Sequence, residues 1–449
     1  MSEIVDEILA AAVEDFFQFL QCQLHLEAAI LLDYELPLED PKARSFWPLF
    51  RAWVRPNLGK KELEKWVPFH TVLGPHDFFV VTQILQNAAL PWSSWQRFVA
   101  MFVFRAHCKS NLFQEAQLPE MLQEDFWKDP KSHFADNGKV IAAMLDFRRS
   151  TREAVQTGAF RSIPQRLCKD DDENLVRNVA RRTQTLLDVA TKVWPMLQDH
   201  TLSSSEKFRQ ISGTIQSAHG LGETWTKTLM VTIDIAYPEL KILSETCNVG
   251  LGALKALKRL APDHKNEPKY CQQSLTQVTA AANMSTSDAA SGFWSMLDQL
   301  EVRARQRFVT FPLIVAQVKT PRGQLSVATV QVQLCEWRQF QEFLDKSGCP
   351  TKPLAQPVQP AKHESSGISD AFELPMPKRQ CVKAWEDLDL LPGPFSAASS
   401  ARSAAGHTEA EVEVSTDSED RFLSAAAQLL ETLKEQVMKA GMLGSDSAL

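Results

Sequence analysis

Two short stretches decide the fold of this chain: SAHGLGETW at 217–225 and CNVGLGAL at 247–254. Each holds a Gly-Leu-Gly triplet in a polar break, and each opens a run with helical spacing of apolar residues. Glycine at both ends of a tight turn permits positive φ and close backbone approach. A helix that begins there offers unpaired N–H groups and a partial positive charge, which suit a phosphate. The stretches predict helix-hairpin-helix units that grip a nucleic-acid backbone, although turns and helix packing also use glycine in this way.

Charge is distributed unevenly along the 449 residues, whose formal net charge is −7. Residues 147–260 hold 17 Lys/Arg against 12 Asp/Glu. Residues 1–146 hold 13 against 20, and residues 351–449 hold 9 against 15. Both glycine triplets therefore lie in the only clearly basic segment, which suits a polyanionic partner. A solvated surface explains any single one of these charges as well.

Apolar periodicity predicts a mainly all-α fold. Helical spacing covers the ranges 4–20, 93–102, 139–160, 172–198, 326–346 and 418–440. Ser93 or Ser94 is a suitable N-cap for the second of these helices, and Ser326 for the fifth. Residues 37–76 are rich in Pro and Trp and are predicted to be irregular. A short strand or extended segment is expected at 311–318.

Composition divides the chain into four segments. We expect an N-terminal helical segment at 1–76, a helical domain with the hairpins at 77–348, a disordered linker at 349–417 and an amphipathic helix at 418–441. The last helix either docks on its own core, self-associates or binds a protein partner. The linker contains PMPKRQ at 375–380, a short basic motif that suggests an intracellular, nuclear location.

Several classes of protein are excluded by the sequence. The eight cysteines form no CxxC pair, and no His, Asp and Glu cluster has metal-ligand spacing, so neither a metal nor a cofactor is expected. No uncharged apolar run reaches about 18 residues, which predicts the absence of a membrane span. The acidic start lacks the basic region of a signal peptide, so reduced thiols are the default expectation.

Three pieces, in order, resemble one family. The first Gly-Leu-Gly turn leads into LMVTIDIAY at 229–237, the second turn reads GLGA at 250–253, and LCE at 334–336 is followed by aromatic residues. This order is similar to the helical domain of the 5-hydroxymethyluracil DNA kinases, a family similar to the α-glutamyl/putrescinyl-thymine pyrophosphorylases and distantly to helix-hairpin-helix DNA glycosylases. The resemblance covers about 80–346. It implies a glycosylase-like helical domain that acts on hypermodified thymine in DNA.

The resemblance also implies roles for individual residues. Asp234 and Glu336 would supply the carboxylates for chemistry on an extruded base. The DNA backbone would contact Gly220, Gly222, Gly250, Gly252, His219, Thr224 and Arg105, the last by a weak match to an arginine that follows an aromatic residue. Asp234 equally suits a buried carboxylate that caps the next helix. Thr224 stands where bifunctional glycosylases carry a lysine, so lyase chemistry is not expected.

Other candidates have simpler explanations. Cys335 is a nucleophile only if its pKa is lowered, and its apolar neighbours favour a buried structural thiol. Trp92, Trp95 and Trp225 would stack on a base, but core residues need no such contact.

The chain departs from the family pattern at several positions. Leu251 replaces the usual proline of the second turn, and Gln331 and Gln339 stand where basic and acidic residues are usual. No Gly-x-x-x-x-Gly-Lys-Ser/Thr loop is present, so kinase activity does not reside here. These departures favour an alternative, a DNA-binding or scaffold protein of the same fold without catalysis. A third hypothesis is a helical interaction protein that uses its C-terminal helix and no nucleic acid.

Overall fold

A computed structural model of the chain describes residues 2–58, 67–156, 172–260, 268–316 and 323–347. Within these ranges the fold is all-α and contains no strand, which confirms the predicted class. The longer helices are α1 (Ser2–Leu31), α2 (Pro41–Leu58), α4 (Ser94–Arg105), α8 (Lys139–Thr151), α9 (Asp172–Gln198), α10 (Ser204–Ser217), α11 (Glu223–Ala236), α12 (Leu251–Leu260), α13 (Pro268–Met284), α14 (Asp288–Arg307) and α15 (Val327–Lys346). The short helices are α3 (Pro75–Phe79), α5 (Ser110–Leu112), α6 (Leu118–Met121) and α7 (Glu124–Lys128).

Local capping signals in the sequence set two helix starts. Ser93 caps α4 with a full capping box, because its side chain accepts the N–H of Gln96 while the Gln96 side chain accepts the N–H of Ser93. Ser326 caps α15 by accepting the N–H of Thr329. Both predicted caps are confirmed, and so are the helices at 172–198 and 326–346.

The prediction of irregular structure at 37–76 is wrong for its first part, because residues 41–58 form α2. Prolines within this range suggested breaks, since proline removes a helical hydrogen bond. Tertiary packing offsets that loss. The aromatic side chains of Phe50 and Trp53 in α2 contact Phe19 of α1 and Phe340 of α15. The helix therefore gains its stability from burial of its aromatic face.

The structure contradicts the extended segment predicted at 311–318 and does not describe the segments predicted from residue 349 onward. The extended segment expected at 311–318 is a 3₁₀ turn at Pro312–Ile314, and residues 317–322 lie outside the described ranges. The linker at 349–417 and the helix at 418–441 also lie outside the described residues, as does the motif at 375–380. The described residues all belong to one compact unit that extends over Met1–Leu374. The expected N-terminal segment is part of this unit.

The core is built around α1, which packs against α2, α13, α14 and α15. A second layer is formed by α4, α8, α9, α10 and α11. Arg97 holds α4 to the segment that precedes it in the chain. Its guanidinium donates to the backbone carbonyls of Ile84, Asn87 and Leu90. The Ile84 carbonyl lies at the end of the π-helical segment Val80–Leu85, and the other two carbonyls follow this segment. Carbonyls at such a helix end have no hydrogen-bond partner within the helix, so the arginine supplies one. None of the helices in the described ranges combines the length and apolar content that crossing a bilayer requires.

Candidate nucleic-acid interface and buried acidic site

The first glycine triplet forms an exposed turn between α10 and α11. His219, Gly220, Gly222 and Thr224 are all exposed, while Leu221 is buried and anchors the turn on the core. Gly220 has φ of +78°, a conformation that favours glycine. Gly222 is the N-cap of α11, and among the described residues no side chain caps that helix start. Helices α10 and α11 are therefore joined by a short glycine turn that lies at the surface.

The second triplet has a different environment. Helix α12 begins at Leu251, so Gly252 lies in its first turn. Gly250, which precedes the helix, is buried. A Cβ added to Gly252 would lie 2.8 Å from Sγ of Cys335, and one added to Gly250 would lie 3.3 Å from Nε2 of Gln331. Both glycines allow α12 to approach α15 closely. Helix packing thus explains them without a contact to nucleic acid, and Leu251 is the exposed member of the triplet.

A hydrogen-bonded network joins the two triplets. Nδ2 of Asn248, just before the second triplet, donates to Oγ of Ser212 in α10 at 3.1 Å and to a Glu223 carboxylate oxygen at 3.5 Å. Glu223 also accepts from the side chain of Gln216 at 2.9 Å. The start of α11 and the approach to α12 are therefore adjacent. The Glu223 carboxylate is engaged by neighbouring amides at this junction.

Asp234 lies in the last turn of α11. It follows Gly222 by twelve positions, which corresponds to about 18 Å along the helix axis. One carboxylate oxygen accepts the N–H of Leu243 at 3.2 Å. Burial raises the pKa of Asp234 to about 7, although the N–H groups of Leu243 and Ile242 act in the opposite direction. Asp234 therefore holds residues 242 and 243, which precede α12, and its pKa lies near neutral pH.

Glu336 is closed inside the protein, with 4% of its surface exposed. Burial raises its pKa to about 8. The carboxylate accepts from the Gln339 side chain at 2.9 Å and from the backbone N–H of Val67. The Glu336 carboxylate thus holds the backbone at Val67, which lies between α1 and α15. Because the carboxylate is buried there, a nucleotide cannot reach it. The cavity beside Asp234 does not include Glu336 in its lining, so this cavity does not bring the two predicted carboxylates together.

Arg105 is also placed away from solvent, with 3% of its surface exposed. Its guanidinium forms an ion pair with Asp77 of α3. The last turn of α4 packs within the core, so the arginine needs an internal counter-ion. The expected contact between Arg105 and a phosphate is therefore corrected to a structural ion pair.

The remaining candidates are mostly core residues. Trp92 and Trp225 are 7% and 5% exposed, and Arg182 lies over the Trp225 ring at 5.1 Å from its centroid. Trp95 packs against Trp194, with ring centroids 5.5 Å apart. Burial raises the pKa of Cys335, which argues against a thiolate nucleophile.

A buried pair that the sequence analysis did not single out lies nearby. Nδ1 of His70 is 2.5 Å from one carboxylate oxygen of Glu27 in α1, and the backbone N–H of His70 donates to the other at 3.0 Å. Both side chains are fully buried. The available signal was an acidic residue within the apolar periodicity of α1. Its partner is 43 residues away, and nothing local in the sequence connects the two.

Two concave features adjoin the segment 241–246. A cavity of ≈ 20 Å³ is lined by Phe69, His70, Thr71, Val72, Val231, Asp234, Leu243, Ile314, Ser326, Ala328, Thr329 and Val332. A groove of ≈ 790 Å³ is lined mainly by polar residues, among them Lys241, Glu245, Thr276 and Asn283. The groove is within the size range of small-molecule sites. The cavity is far smaller than a nucleobase.

No family model matches the chain, and no curated protein or solved structure matches it significantly. The resemblance to the 5-hydroxymethyluracil DNA kinase helical domain therefore rests on the three motifs alone.

Proposed function

We propose that the chain binds DNA through the hairpin formed by α10 and α11. The observation that carries the proposal is the exposed, uncapped turn at 219–224, which presents the N-terminal end of α11 to solvent. Such a helix start attracts phosphate through its N–H groups and its dipole. Lys255 and Lys258 on α12 are exposed and add positive charge beside the second triplet. Contacts of this kind position a protein on the backbone without selecting a base sequence.

Two substitutions at Glu223 test the proposed grip. Proline at this first helical position removes one N–H but is compatible with the helix start and with the extended Gly222 before it. Alanine removes the same carboxylate and keeps the N–H. We expect Glu223→Pro to bind duplex DNA more weakly than Glu223→Ala, measured by fluorescence anisotropy over a series of salt concentrations. Equal affinity of the two variants, or binding that does not depend on salt, would refute the backbone grip.

Action on 5-hydroxymethyluracil-derived bases is the second proposed function, with DNA-binding or scaffold activity alone as its alternative. Beyond the motif resemblance, it is supported by Asp234, a carboxyl that titrates near neutral pH beside the buried His70. The test compares turnover of 5-hydroxymethyluracil-containing DNA with turnover of unmodified DNA, using wild type and Asp234→Asn. Negligible turnover of both substrates by the wild type would leave the non-catalytic function.

The proposal includes two expectations for residues outside the described ranges. Self-association or partner binding through 418–441 is tested by the molar mass of the chain with and without residues 410–449. A nuclear location is tested by imaging the wild type beside a variant that lacks the charges of Lys378 and Arg379.

A further inference from the structure

Leu251 presents a large apolar side chain to solvent, with 71% of its surface exposed. Leu221 holds the same middle position in the first Gly-Leu-Gly triplet, but it is 4% exposed and packs in the core. A single exposed leucine is ordinary on a protein surface and needs no explanation by itself. Two further features distinguish Leu251: the rigidity of its support and the charge of the helix that it begins.

Both chain neighbours of Leu251 are held by packing against α15. Gly250 is buried and faces the side chain of Gln331, and Gly252 lies against Cys335. The backbone at position 251 is therefore fixed on both sides, and only the leucine side chain projects from the surface. A side chain that is presented on such a rigid base loses little conformational freedom when it enters a partner, which favours binding.

The exposed face of α12 carries positive charge behind Leu251. Lys255 and Lys258 follow it at spacings of four and seven residues, so all three side chains lie on one face of the helix, and all three are exposed. The sequence of α12, LGALKALKRL, contains no acidic residue that would offset these charges. The two lysines lie about 6 Å and 10.5 Å from Leu251 along the helix axis. These distances correspond to about two and three base pairs of a DNA duplex.

This face of α12 adjoins the helix start that we propose as the DNA grip. The side chain of Asn248 donates to the carboxylate of Glu223, the first residue of α11. Only three chain positions, at most about 10 Å when fully extended, lead from Asn248 to Leu251. The turn at 219–224 and the exposed face of α12 are therefore close enough to contact one duplex together.

We propose that Leu251 inserts between two base pairs of the bound duplex from the minor groove, while Lys255 and Lys258 bind the flanking phosphates. An apolar side chain in this position unstacks the two base pairs and kinks the duplex, and the bend brings more of the DNA against the protein. Pyrimidine–purine steps such as TA unstack more readily than A-tracts, so the kink should favour them. The inference rests on the proposed DNA binding and adds a distortion that a backbone grip alone does not produce.

The test uses the full-length chain and a duplex that carries 2-aminopurine beside a central TA step, with a donor and an acceptor dye at its ends. Unstacking raises the fluorescence of 2-aminopurine, and a kink raises the energy transfer between the dyes. The wild type should increase both signals, Leu251→Met should retain them and Leu251→Ala should lose them. Leu122→Ala is the matched control, because Leu122 is 51% exposed and follows α6, which packs on α7.

The salt dependence of binding separates the lysines from the leucine. Lys255→Gln and Lys258→Gln should each lower the slope of log affinity against log salt concentration by about 0.9, whereas Leu251→Ala should leave it unchanged. Equal fluorescence and energy transfer with the wild type and with folded Leu251→Ala would refute the insertion and leave the backbone grip in place.

Two other results would also overturn the inference. A wild type that binds no duplex even at low salt would refute the proposed function and the insertion together. Binding to phosphatidylserine vesicles that Leu251→Ala abolishes, with duplex binding and both DNA signals unchanged in that variant, would assign this face of α12 to a lipid surface instead.

Discussion

Gly252 and Cys335 are in contact where α12 crosses α15: a Cβ at position 252 would lie 2.8 Å from Sγ and 3.2 Å from Cβ of Cys335. Real Cβ contacts of 2.8 Å essentially do not occur, so any larger residue would separate the two helices. The second Gly-Leu-Gly triplet is thus constrained by packing, whereas the first is constrained by the positive φ of Gly220.

The first prediction concerns this contact. Gly252→Ala should lower the free energy of unfolding by about 1–3 kcal/mol, because overpacking forces the helices apart. Gly213→Ala in α10 is the matched control. No atom of the described residues lies within 4 Å of its added Cβ, so this substitution should raise stability by up to about 1 kcal/mol. Denaturant unfolding measures both. A further Cys335→Ala substitution should recover part of the loss, and a double variant no better than Gly252→Ala would contradict the contact.

The second prediction concerns pH. Asp234 binds its proton more tightly in the folded protein, with a pKa of about 7 against 3.8 when unperturbed, and the pKa of Glu336 is raised to about 8. Their stabilising contribution is complete below about pH 4 and is lost as pH rises through 7–8. The contribution of these two carboxyls to the free energy of unfolding should therefore fall between pH 5 and pH 8, by an amount on the order of 2 kcal/mol for Asp234 alone.

Asp234→Asn and Glu336→Gln should each flatten this dependence, and the double variant should flatten it most. Thermal unfolding at a series of pH values provides the measurement. A wild-type protein that gains stability from pH 5 to pH 8 through these two positions would be inconsistent with burial of either carboxyl.

The third prediction concerns the ion pair between Arg105 and Asp77. Asp77→Asn leaves a buried guanidinium without its counter-ion and should cost about 3–5 kcal/mol of stability. The exposed pair of Lys131 and Asp188, 2.8 Å apart, is the control, and Asp188→Asn should have little effect. Arg105→Met should keep the affinity of the folded protein for DNA. A selective loss of DNA binding in that variant, with stability retained, would restore Arg105 as a phosphate contact.

The fourth prediction concerns Lys207, a cation of the basic segment that is only 4% exposed. Its Nζ donates to the carbonyls of Met196 and Leu197 and to that of Asp199, at the C-terminal end of α9. Lys207→Met should lower stability by about 2–3 kcal/mol, because charged donors to these carbonyls are lost. Lys192→Met on the exposed surface of α9 is the control and should unfold at nearly the wild-type denaturant concentration.

Local signals predicted the parts of the fold that depend on neighbouring residues. The serine caps of α4 and α15 and the apolar period of α9 each act within a few residues, so they were visible in sequence. Helix α2 was missed because its prolines are a local signal for breaks, while its aromatic packing on Phe19 and Phe340 is not local.

The features of the candidate site also separate into those set by neighbouring residues and those set by tertiary packing. Sequence alone determined the all-α class, the two glycine triplets and the turn at Gly220, because helix periodicity and backbone conformation are set by adjacent residues. Only the tertiary structure decided that Glu336 and Arg105 are enclosed, that Gly252 is a packing residue and that His70 meets Glu27 beside Asp234. Those outcomes depend on which helices share the core, and the burial that follows determines both the charges and the partners of these side chains.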